Sequence, residues 1–282
     1  MRASTGGTDG AACLHGPQFV DTHVHLHPCF ADGRFFSSAA DSFERAARRL
    51  GSPRISGVLC FTESAGANEF VRLRGLAGAS PRNGWSLEST LEEDSLVARR
   101  GDATLVLIAG RQIVACERLE VLALATDAVP EDHRGLGGTI ETVAALGGIS
   151  VIPWGFGKWW FRRGQILREL LRAAPTGLFF ADNGGRAGIL REPRLMAAAR
   201  SAGVWVLAGS DPLSYPDQIP RVGSFGVVLD GDLSLEKPAA DLRGILHCLT
   251  EDPARFGGFA GLRSFTRTQA RVHLRSRSDG ER

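Results

Sequence analysis

From Phe19 onward the chain alternates short, nearly all-apolar runs with longer amphipathic stretches. The short runs predict strands at 19–25, 55–62, 104–109, 111–115, 119–125, 150–154, 177–181, 204–208 and 225–229. The longer stretches predict helices at 39–50, 136–146, 164–173, 193–202 and 239–249. Apolar runs that end in Gly or a polar residue suit strands covered on both faces. Their separation by helical stretches predicts βα units, hence an α/β fold that is either a barrel or a doubly wound sheet. The rhythm breaks between 104 and 125, where three short strands joined by tight turns are expected as a meander. Residues 1–17 are small, polar and glycine-rich, which suits a flexible leader. After 263 the apolar pattern fades and arginine dominates, so 263–282 is expected to be a basic disordered tail behind a single domain at 18–262.

Composition narrows the class. A length of 282 residues suits one α/β barrel. The net charge of +2 conceals a tail with six arginines against Asp279 and Glu281, which leaves the rest of the chain close to neutral. No nucleic-acid footprint is expected on the fold. The five cysteines (Cys13, Cys29, Cys60, Cys116 and Cys248) are widely spaced and form no C-x-x-C pair. This argues against a disulfide framework or zinc ribbon and for a reducing compartment, the cytoplasm. Cys60 and Cys116 fall in strand-like runs and read as buried small apolar residues. The N-terminal stretch lacks a signal-peptide h-region, and no apolar run is long enough to span a bilayer, so no membrane partner is expected.

The chemistry concentrates in Val20-Asp21-Thr22-His23-Val24-His25-Leu26-His27-Pro28. Alternation along a strand puts Asp21, His23 and His25 on one face and Val20, Val24 and Leu26 on the other. Two imidazoles at adjacent same-face positions can share one metal ion, and barrel folds place their sites at such strand ends. His27, just before Pro28, is expected to face substrate rather than metal. A second apolar run leads into Gly209-Ser210-Asp211, where a carboxylate can complete a metal shell or orient water. Alone, that Asp also fits a turn or a helix cap.

Lys158, in a Gly- and Trp-rich stretch, can meet an anion, although its spacing is not that of a nucleotide P-loop. Asn183 and Arg186, in Asp182-Asn183-Gly184-Gly185-Arg186, have the composition of a binding loop, with Arg186 as a phosphate or carboxylate clamp. Arg221 is a further substrate-binding candidate. His15, His247 and His273 read as non-functional.

The chain resembles the polymerase and histidinol phosphatase (PHP) family from Phe19 to about Leu229. The resemblance rests on His23-x-His25, on Gly209-Ser210-Asp211, and on the Ile-Ala-Gly turn followed by Leu-Glu-Val-Leu-Ala-Leu. It implies a distorted TIM-like barrel of about seven strands with two or three metal ions. Several family ligands are replaced: Thr62-Glu63-Ser64 stands for Thr-Asp-His, Gln112 for a bridging Glu, Glu120 and Trp154 for histidines, and Leu213 near a trailing His. The surviving ligands His23, His25 and Asp211, with Glu63 and Glu120 as substitute carboxylates, imply one divalent ion (Zn, Mn or Fe), or two held more loosely. Asp211 and Glu63 are the expected catalytic carboxylates. The implied activity is hydrolysis of a small anionic phosphoester. The alternatives are an amidohydrolase-like C–N hydrolase or a binding protein without turnover.

Overall fold

The computed structural model describes residues 13–51, 56–81, 83–173 and 176–280. The short strand β1 (Cys13–Leu14) leads to β2 (Gln18–Val24), helix α1 (Asp32–Arg49), β3 (Ser56–Phe61) and α2 (Glu69–Arg74). Five strands then follow with no helix between them: β4 (Ser86–Ser89), β5 (Ser95–Arg100), β6 (Ala103–Ile108), β7 (Gly110–Val114) and β8 (Glu120–Leu124). Regular alternation resumes with α3 (Leu136–Ala145), β9 (Ile149–Pro153), α4 (Phe161–Ala173), β10 (Leu178–Asn183), α5 (Arg194–Ser201) and β11 (Val206–Gly209). A 3-10 turn at Pro216–Arg221 precedes β12 (Phe225–Leu229), β13 (Leu233–Ser234), α6 (Pro238–His247), β14 (Ala254–Gly257) and α7 (Leu262–Gly280).

The strands do not form the expected TIM-like barrel. They fall into two open mixed sheets and a small ladder: β14-β12-β2-β3-β6-β5-β4, β11-β10-β9-β8-β7, and β1-β13. The only parallel pairings are β2–β3 and β3–β6 in the large sheet, and β9–β10 and β10–β11 in the smaller one. The remaining pairings are antiparallel, and these added strands interrupt the βα order that a closed ring requires. The expected meander is corrected in the same way. β6 pairs with β3 and β5, whereas β7 pairs with β8, so the chain changes sheet at Ala109.

Packing follows from the pattern of apolar faces. Val20, Val58, Val106 and Ile108 of the large sheet share one core with Leu122, Val151, Ala181 and Leu207 of the smaller sheet. Phe35, Phe36 and Phe43 of α1 and Phe70 of α2 cover the outer face of the large sheet, against Leu59, Phe61 and Leu107. Ile140, Leu167, Leu195 and Met196 of α3, α4 and α5 cover the smaller sheet against Val121, Ile152, Phe180 and Val206. Burying side chains of this size contributes roughly 1.5–3 kcal/mol each, which makes these layers the main source of stability. The parallel strands bury both faces, which is why they read as continuous apolar runs.

The two ends of the chain also differ from expectation. The stretch read as a disordered tail forms α7, anchored by the buried Phe265 against Ala187 and Ala260. Arg271 adds a forked pair to Asp217 (2.8 and 3.0 Å) and lies over the Tyr215 ring. The first twelve residues of the expected leader lie outside the described residues, but Cys13 and Leu14 pair with Ser234 and Leu233. Cys60 is buried as expected, whereas Cys116 is exposed in a turn. No described helix is long and apolar enough to cross a membrane.

Candidate metal centre

The centre forms where β2 and β11 end side by side. The register of β2 against β3 slips between Asp21 and Val24, so the strand does not keep one alternation. Val20 therefore serves the inner core and Val24 the outer one. Asp21 parts from the two histidines. Its buried carboxylate accepts from the Ser210 amide (2.8 Å), the Ser210 hydroxyl (2.5 Å), the Gly223 amide (3.0 Å) and the His23 amide (3.3 Å). Burial pushes this carboxyl up to about 7, against those hydrogen bonds. Asp21 thus clamps the loop that carries Asp211, a role its place in the motif did not reveal.

Gly209 explains how β11 approaches so closely. A β-carbon there would lie 2.4 Å from His23 Cβ and 2.6 Å from the His23 backbone nitrogen. Two residues on, Asp211 takes a left-handed conformation (φ 45°), which is strained for a residue with a β-carbon. That bend aims its carboxylate at the histidines.

His23, His25 and Asp211 each offer a donor atom, all within 4.8 Å of one another. The Nε2 atoms of His23 and His25 are 3.1 Å apart, and Asp211 Oδ1 lies 3.5 and 3.6 Å from them. Gln112 Oε1 stands 3.2 Å from His23 Nε2. Burial and the neighbouring His23 hold His25 down to about 3, so its imidazole is neutral. Burial raises the Asp211 carboxyl, but His23, His25, Asn183 and Lys158 outweigh it and leave Asp211 low, at about 2. Neutral imidazole and ionised carboxylate are the forms that bind a metal. The donor set therefore fits one divalent ion, and with a single carboxylate it leaves positive charge for an anionic ligand.

Other expected site residues divide into two groups. Asn183 donates to Asp211 Oδ2 while its own carbonyl takes the Gly185 amide (2.6 Å). Lys158 pairs with Glu120, and both face the same clefts as Asp211. Glu120 is thus a partner of Lys158 rather than a substitute ligand. Arg221 donates to the Ser210 carbonyl (3.1 Å) and lines the cleft beside Asn183. Its burial lowers the guanidinium, opposed by Asp211 and Asp21. His27 donates to the Pro212 carbonyl (2.9 Å), stacks 5.4 Å from the His25 ring and lines the cleft.

Two expectations are corrected. Glu63 does not join the histidines: one oxygen accepts the Phe70 amide (2.8 Å) and the other pairs with buried Arg111 (2.9 Å). Arg186 is no substrate clamp. It is buried, forked onto Asp182 (2.8 and 2.9 Å), donates to the Leu190 carbonyl and stacks 4.0 Å over Phe259. Each carboxylate–arginine pair satisfies itself in the interior, where an unpaired charge would be costly.

The clefts over the centre measure about 380 and 140 Å³. Their walls include Leu213, Tyr215, Gln218 and, from α7, Val272. Gln218 and Val272 carry no motif signal; only the fold brings them to the site.

No protein family profile and no curated protein matches the sequence. Solved structures do resemble the fold. PsfC from Pseudomonas syringae PB-5123 superposes with a TM-score of 0.57 at 14% identity, over 93% of this chain and 99% of that one. The chain therefore shares its overall fold with PsfC. A two-domain protein from Bacteroides vulgatus, described as containing a predicted PHP-like metal-dependent phosphoesterase, gives a TM-score of 0.44 at 15% identity, over 94% and 74% of the two chains. At that score the second likeness carries no weight for fold or function.

Proposed function

We propose that the chain is a metal-dependent hydrolase of small phosphoesters, of the kind that its resemblance to the PHP family implies. The supporting observation is the convergence of His23, His25 and Asp211 beneath a cleft that also presents Lys158 and Arg221. When bound, a divalent ion supplies Lewis-acid polarisation and an acidified water. His23 and His25 would hold the ion through their Nε2 atoms. Asp211, kept ionised by its neighbours and fixed by Asn183, completes the shell and orients the nucleophile. Lys158 and Arg221 balance the phosphoryl charge, and Arg221 also braces the Ser210 carbonyl next to Asp211. His27 lines the same cleft.

The withdrawal of Glu63 and the neutral Gln112 favour a single ion over a cluster, because no second carboxylate joins Asp211 to offset repulsion between two cations. The same withdrawal favours, as a second reading, ligand binding without turnover. Assaying the metal-loaded protein on phosphomonoesters and phosphodiesters separates the two. Turnover that Lys158→Ala or Arg221→Ala weakens supports the hydrolase. Metal-dependent binding of inorganic phosphate with no turnover supports the binding protein.

A further inference from the structure

A second group of metal-ligating side chains lies at the other end of β2. Cys13, His15 and Asp232 each present a donor atom within 4.8 Å of the other two. Gln18, which joins this group to β2, stands five residues before His23, or about 17 Å of strand away. Leu14 pairs with Leu233 and packs on the inner core, so alternation turns Cys13 and His15 together to the opposite side. The local backbone is already fixed. Gln18 Nε2 donates to the carbonyls of Leu14 (2.9 Å), Gly16 (2.7 Å) and Gly231 (3.0 Å), tying both arms of the β1–β13 ladder together. Asp232 accepts from the Gly16 amide (3.1 Å) and lies 2.9 Å from His15 Nδ1.

We propose that Cys13, His15 and Asp232 form a second, structural metal site, suited to zinc, which clips β1 to the turn between β12 and β13. The donor types decide the metal class. A thiolate with imidazole and carboxylate suits zinc, whereas magnesium and calcium take oxygen ligands. Bonds of about 2.0–2.3 Å in a tetrahedron place donors roughly 3.3–3.8 Å apart. His15 and Asp232 are 63% and 60% exposed, so small rotations close the observed spread to that distance. The charge also favours a cation. Asp232 brings a carboxylate to the site, and among the described residues its ion-pair partner is His15. Cys13 opens the two-residue strand β1 and His15 follows directly after it, a signal that sequence reading assigns to a leader.

Cobalt titration of the metal-stripped full chain tests the site, because a thiolate-to-cobalt charge-transfer band requires a sulfur ligand. The His23 centre contains none, so the result is independent of whether that centre binds metal. The native chain should develop the band with about one equivalent of Co²⁺. The band should persist in His23→Ala and in Cys248→Ser, weaken in His15→Ala and vanish in Cys13→Ser. Zinc should also slow alkylation of Cys13 about tenfold while leaving exposed Cys29 and Cys116 unchanged. Absence of the band in the native chain, its survival in Cys13→Ser, or equal alkylation rates with and without zinc would each overturn the proposal.

Discussion

The amide of Asp211 donates to the carbonyl of His23 at 2.9 Å. This single bond joins two motifs from opposite ends of the chain, and it lies at the seam where β2 of one sheet meets β11 of the other. Thr22 reinforces the seam through its hydroxyl, which donates to the Ala208 carbonyl at 2.9 Å. The geometry of these candidate ligands is therefore set by backbone packing between sheets, not by the side chains alone.

Gly209→Ala tests that dependence. A β-carbon at 209 would press into His23, and overpacking of this kind costs roughly 1–3 kcal/mol. The variant should melt several degrees lower and bind metal at least tenfold more weakly, by calorimetry. Unchanged affinity would show that the seam does not control the ligands.

Gln112→Glu should strengthen metal binding. Its side-chain oxygen already stands 3.2 Å from His23 Nε2, so the substitution adds a negative donor without a change of shape. The expected gain is about tenfold, on the order of 1.4 kcal/mol, from one further charged ligand. No gain in a metal titration would place Gln112 outside the coordination sphere.

Glu63→Gln should act on stability. It leaves the buried Arg111 without its carboxylate, a change expected to cost about 3 kcal/mol. Chemical denaturation should report that loss while metal affinity per folded molecule stays the same. A selective loss of metal would return Glu63 to the ligand set.

Arg186 and Arg221 should separate in kinetics. Arg221→Ala should raise KM for an anionic ester about tenfold, since a charge-assisted hydrogen bond is worth roughly 1.5–3 kcal/mol. Arg186→Ala should leave KM alone and lower the melting temperature, because it strips Asp182 of its forked partner. Reversed effects would exchange the two roles.

Sequence pattern located the βα units well, because strands buried on both faces leave continuous apolar runs. It failed where structure depends on distant partners. Segment 104–125 reads as adjacent strands, yet nothing in β6 or β7 records that they join different sheets. β4 and β5 are short and mixed in polarity, with Glu88, Arg99 and Arg100 among their residues, so no apolar run marks them. α7 escapes notice because Phe265 is its one deeply buried apolar anchor among arginines. At the site, His23 and His25 are legible as a pair from their alternation, and Asp211 joins them only through the Gly-Ser-Asp motif of the family resemblance; their donor atoms converge in the structure. The Glu63–Arg111 and Asp182–Arg186 pairs were not, because a charged residue near a strand end looks the same in sequence whether it faces substrate or a buried partner.

The central claim is that His23, His25 and Asp211 together hold a metal that turnover requires. Metal content is best measured in a Cys13→Ser background, so that the ions counted belong to this centre. That protein should carry about one divalent ion per chain and hydrolyse a phosphoester. Adding His23→Ala, His25→Ala or Asp211→Ala should reduce both metal and turnover to trace levels while circular dichroism stays unchanged. Full metal content in all three folded variants would contradict the account.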